Sequence, residues 1–85
     1  MKVFVVSASI VIDATDYTPV PLVYSSFELA SERLEELWKD ALKDFDGDDD
    51  IRERHDKSFE VYKEGEYLSD HYSAAIDELE VITER

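Results

Sequence analysis

An α+β fold is what three features of this 85-residue sequence predict: a small antiparallel sheet in the order β-β-α-β-β, with one amphipathic helix packed across a face. The first feature is a helix-period apolar stripe over Ser25–Phe45. The second is a β-branched run at Lys2–Ile12. The third is an alternating segment, Ser58–Lys63, followed by a turn signal at Glu64-Gly65.

The helix organises the rest. Phe27, Ala30, Leu34, Leu37, Trp38, Ala41 and Phe45 recur at three-, four- and seven-residue spacings, which puts them on one face directed at a core that includes Trp38. Ser25 with Glu28 reads as a capping box, and Tyr24 with Leu29 as a hydrophobic staple, which accounts for Leu29 lying off the stripe. In Lys2–Ile12, Phe4, Val6, Ala8, Ile10 and Ile12 form a continuous apolar face, and Ser7 and Ser9 interrupt the other. Asp13–Thr18 reads as a polar connection. Val20–Tyr24 reads as a short strand, either at an edge or beginning after Pro21. Asp46–Asp56 reads as a charged surface loop with a frayed helical turn around Ile51–His55. Ser58–Lys63 and Glu66–Ser69 form a hairpin about Glu64-Gly65, where glycine supplies a positive φ. Ser73–Leu79 reads either as a helical turn capped by Ser73 or as extended chain, and a turn followed by a last strand over roughly Glu78–Thr83 is the favoured ending.

Length and composition set bounds. One domain, residues 1–85, is expected, and a chain this short buries only roughly 60–65% of its unfolded surface, too little for a deep substrate cavity. Its 44% hydrophobic content, with 12% aromatics, supports a packed core and argues against disorder. Without cysteine there is neither a disulfide framework nor a thiolate metal site. The opening MKVFVV reads as a strand, since its apolar run is short and lacks a small-residue cleavage site; a cytoplasmic location is expected.

Charge is the dominant signal. Twenty-two acidic residues against nine basic give −13 at pH 7 and a pI near 4.3. That field repels nucleic acids and anionic membranes and attracts basic surfaces. Glu28, Glu32, Glu35, Glu36 and Asp40 line the outer helix face at roughly 5–6 Å separations. Asp46, Asp48, Asp49 and Asp50 crowd the following loop. Tyr62 and Tyr67, among Glu64 and Glu66, read first as packing on a half-buried sheet; exposed, they would supply aromatic anchors inside an acidic rim. Together these residues form the candidate partner-binding set, a row of carboxylates resembling phosphates on a rigid scaffold. The bland alternative, that acidity serves solubility alone, is common in small domains.

Other chemistry finds less support. A calcium loop begun at Asp44 places Asp49 and His55 where glycine and glutamate are needed; begun at Asp46 it places Ile51 and Lys57 there. His55 and His71 each adjoin an aspartate, Asp56 and Asp70, yet no nucleophile elbow or phosphate-cradling glycine loop accompanies them. No catalytic residue, cofactor or metal ligand is expected, and the protein is read as a non-enzyme.

The pattern MKVFVV … VYSSFELASERLEEL … SFEVYKEGEYLSDHYSAAIDELEVI is similar to small acidic uncharacterised proteins of bacteriophages and Gram-positive bacteria. In size and charge the chain also resembles phage-encoded inhibitors of bacterial defence, the anti-CRISPR and anti-restriction proteins, several of which mimic DNA. That resemblance implies an inhibitor acting in the host cytoplasm on a basic nucleic-acid-binding protein, such as a CRISPR effector or restriction component. Two rivals stand beside it: an accessory domain, homodimeric through a sheet edge, and a divalent-metal-responsive module using Asp44–Asp50.

Overall fold

The structure is a computed structural model and describes residues 1–13, 15–48, 50–63 and 70–82. Its elements are β1 (Lys2–Ile12), β2 (Thr15–Tyr17), β3 (Leu22–Tyr24), α1 (Phe27–Asp44), β4 (Asp50–Arg54), β5 (Ser58–Lys63) and β6 (His71–Glu80). All strand pairs are antiparallel. The sheet order is β2-β1-β6-β5-β4, and β3 also pairs with β1, on residues Phe4–Val6. The α+β class holds, with the helix on one face. The expected β-β-α-β-β order is replaced by three strands on either side of the helix.

The core lies between α1 and the even-numbered face of β1 and β6. Register places Val6 opposite Ile76, Ala8 opposite Ala74 and Ile10 opposite Tyr72. In β5, Phe59 meets Ala74 and Val61 meets Tyr72. Ala30, Leu34, Leu37, Ala41 and Phe45 descend onto these residues, as the stripe predicts. Trp38 sits at the rim, partly exposed, with its ring edge-on to Phe59 at 5.3 Å. Phe27 closes the other end against Phe4, with ring centroids 6.0 Å apart. An 18-residue helix is about 27 Å long, whereas the molecule extends 52 Å.

Four local expectations need correction. The N-cap is Ser26, not Ser25: Ser26 is extended (φ −138°, ψ 154°) and its Oγ accepts the Leu29 N–H at 3.2 Å. Tyr24 is held in β3 opposite Phe4, so the chain turns into the helix one residue later. Glu28 is then the second helical residue, where it favours the helix dipole but cannot close a capping box.

The remaining corrections concern strands. Thr15–Tyr17, expected as a polar connection, turns back on β1 through Asp13, whose φ of 52° lies in the left-handed region that aspartate tolerates. Asp50–Arg54, expected as loop and helical turn, is an edge strand in register with β5. Segment Ser73–Leu79, left open between a helical turn and extended chain, is the middle of a ten-residue central strand, and the last strand expected over Glu78–Thr83 is instead β6, ending at Glu80. Pairing on both sides, to β1 and β5, outweighs the weak β propensity of Ala74 and Ala75. The Glu64-Gly65 turn and the Glu66–Ser69 strand lie outside the described residues.

Candidate interaction surfaces

The scarce cations come first, because their placement determines which carboxylates stay unneutralised. Alternation along β4 sends Arg52 and Arg54 to the helix side, opposite Val61 and Phe59. Arg52 closes the end of α1: its Nε and Nη2 donate to the Phe45 carbonyl at 3.0 and 2.6 Å, and Nη2 also donates to Gly47 O at 3.0 Å. A cation there also meets the negative end of the helix dipole. Arg54 donates to the His55 and Ser58 carbonyls and pairs with Glu35 at 3.4 Å. Lys57 lies 6.0 Å over the Phe27 ring, Lys63 pairs with Asp70, and Lys2 with Glu78. Each of these groups works on the helix side of the sheet.

The opposite, open face is organised by the same register. Across it run successive rows: Val11, His71 and Tyr62; Ser9, Ser73 and Glu60; Ser7, Ala75 and Ser58; Val5 and Asp77; Val3 and Leu79. Val23 joins Val5 from β3, Asp16 joins Val11 from β2, and Glu53 stands directly opposite Glu60. Among the described residues this face carries Asp16, Glu53, Glu60 and Asp77 and no lysine or arginine. Glu53 and Glu60 form a like-charge cross-strand pair, a destabilising arrangement. The serine and alanine rows leave an open trough of about 660 Å³.

The sequence-predicted set divides accordingly. Glu28, Glu32 and Glu36 are exposed on the outer face of α1, with Glu36 3.8 Å from Arg33. Glu35 is turned toward Arg54. Asp40 is exposed and accepts the Tyr72 hydroxyl at 3.1 Å, tying the helix to the central strand. Burial, followed by the hydrogen bond and the negative charge of Asp40, pushes the Tyr72 phenol up to about 12. Asp46 and Asp48 are exposed, but Asp50, the first residue of β4, ties back the preceding turn: its Oδ2 accepts the Gly47 N–H at 3.0 Å. Tyr62 is half-buried on the open face, beside His71. Asp49, Glu64, Glu66 and Tyr67 lie outside the described residues.

Among the described residues, neither histidine is hydrogen-bonded or ion-paired to its neighbouring aspartate. Asp70 Oδ1 accepts the Asp13 N–H at 2.9 Å and its Oδ2 faces Lys63 at 3.8 Å, which secures the β1–β2 turn. His55 is exposed and its backbone N–H donates to Ser58 O. Among the described residues, no three histidine, aspartate or glutamate side chains converge as metal ligands. Likewise, no described helix is long and apolar enough to cross a membrane.

Sequence reasoning missed the open face as a surface. The alternation Arg52/Arg54 against Ile51/Glu53 was the available signal, but it carries no apolar side from which to assign direction. No protein-family model, curated protein or solved structure matches the chain.

Proposed function

We propose that the chain is a non-enzymatic acidic interaction protein that occupies the nucleic-acid-binding surface of a basic host protein by charge mimicry. Several of the phage-encoded inhibitors of CRISPR or restriction systems that the chain resembles in size and charge mimic DNA, and a bacterial defence component is the partner we favour. The observation that carries the reading is the sorting of charge. The cations of the strands and of the β4–β5 turn are engaged toward the helix side, while no described carboxylate is buried. The excess negative charge therefore faces outward on a rigid frame. Glu28, Glu32 and Glu36 present one such row on α1, and Asp16, Glu53, Glu60 and Asp77 present another on the open sheet face. A surface serving only solubility would have no reason to keep Glu53 and Glu60 directly opposed.

The test is inhibition of nucleic-acid binding by a CRISPR effector or a restriction enzyme, measured across a salt series. Competition with DNA or RNA for one surface is expected, with association that slows steeply as salt rises, because exposed charges are screened beyond about 8 Å at physiological ionic strength. Reversing Glu28, Glu32 and Glu36 to lysine should slow association and leave the fold intact. Asp40 is left unchanged because it holds Tyr72. A partner that binds this protein and nucleic acid together, with affinity flat in salt, would refute the reading.

A further inference from the structure

The open face of the sheet holds an apolar patch that the charge argument does not use. Val3, Val5, Val23 and Leu79 share it through their register, and the Val81 N–H donates to the Met1 carbonyl at 2.7 Å, so Met1 and Val81 extend the same face. Val23 is 63% exposed and Leu79 52%. Among the described residues nothing packs over them, since α1 occupies the other side. The patch borders the trough floored by Ser7, Ser58, Ser73 and Ala75, and beyond it stand Glu60 and Glu53. Apolar side chains, a slot of small residues and carboxylates thus follow one another on a single surface.

From this juxtaposition we infer that the open sheet face is the docking surface, and that it takes a cationic protein segment bearing large apolar side chains. The inference rests on the charge-mimicry reading and specifies its site. Charge complementarity selects the occupant. A second copy would bring two chains of −13 together and set Asp77, Glu60 and Glu53 against their own like charges. A cationic segment would instead meet Asp16, Glu53, Glu60 and Asp77 with lysine or arginine, while its apolar groups cover Val5, Val23 and Leu79 and enter the trough. It would also relieve the repulsion between Glu53 and Glu60. The division of labour is that of interfaces generally: a desolvated apolar centre supplies most of the affinity, and the charged surround sets rate and partner choice.

The test is an amide chemical-shift titration with two synthetic peptides of equal positive charge, one of lysine and leucine and one of lysine and serine. The lysine–leucine peptide should shift Val3, Val5, Ser7, Ser73, Ala75 and Leu79 saturably and bind at least tenfold more tightly than its serine counterpart. The Val23→Ser, Leu79→Ser double variant should erase that advantage; both side chains are more than half exposed, so folding is retained. Equal binding of both peptides, with shifts on Glu28, Glu32 and Glu36, would overturn this inference and leave charge mimicry standing. Absence of saturable binding by either peptide would overturn both. Concentration-dependent association of the protein alone, abolished by the double variant, would make the face a self-interface and overturn the choice of partner.

Discussion

Replacing Arg52 with alanine tests how far one cation holds the two halves of the fold together. Arg52 lies on edge strand β4, yet its guanidinium closes the end of α1, with two donors on the Phe45 carbonyl, one on Gly47 and one on Asp50 at 3.3 Å. The Phe45 contact is partly buried; the other two are exposed. Hydrogen bonds involving a charged group are generally worth about 1.5–3 kcal/mol. Exposure lets water recover much of that here, leaving roughly 1 kcal/mol at Phe45 and a few tenths at each remaining carbonyl. Loss of the favourable helix-dipole contact adds about 0.5 kcal/mol. The expected loss is therefore about 2 kcal/mol, or roughly 8–16 °C in Tm for a domain of this size.

Thermal and guanidinium unfolding followed by circular dichroism would measure it. Arg52→Lys should recover about half, because an ammonium restores the charge without the planar fork. An alanine variant within about 0.5 kcal/mol of the parent would refute the argument, as that is the scale of an ordinary surface substitution. A lysine variant equal to the parent would show that charge alone mattered and the fork geometry did not.

Two further outcomes follow from the core. Trp38→Ala should cost about 2–3 kcal/mol, below the range for a fully buried aromatic because Trp38 sits at the rim; Trp38→Phe should retain most of the edge contact with Phe59, and tryptophan emission in the parent should lie to the blue of its value in water. Tyr72 makes stability pH-dependent at the alkaline end. Its folded value of about 12 exceeds the unfolded value of about 10, so its contribution is complete below pH 10 and is lost as pH rises through 12. Unfolding of the parent and of Tyr72→Phe across that window should show a steeper decline in the parent; parallel curves would contradict the assignment.

What the sequence determines by itself are the elements whose periodicity is local and strong. The stripe from Phe27 to Phe45, the even-numbered apolar face of β1, and the alternation of Phe59 and Val61 need no knowledge of their neighbours, because the repeat already states which side is buried. The helix start was legible to within one residue; which of two adjacent serines caps it depended on the β3–β1 pairing that holds Tyr24. For β6, the alternation of Tyr72, Ala74 and Ile76 was present but competed with helix-favouring alanines. Strands on both flanks decided the outcome, and only the assembled sheet supplies them.

The candidate site divides in the same way. The outward carboxylates of α1 were readable from helix spacing. That Asp50 and Asp70 instead serve turns, and that Asp40 holds Tyr72, follows from contacts across 3, 57 and 32 residues of chain. Most decisive is the direction of β4. Its sequence shows that Arg52 and Arg54 share a face opposite Ile51 and Glu53, but either face could have met the helix. Register with β5 settles it, and a one-residue slip would turn both arginines outward and both partners in. Tertiary pairing therefore determines which sheet face keeps only negative charge, because strand alternation defines two sides without saying which one is covered.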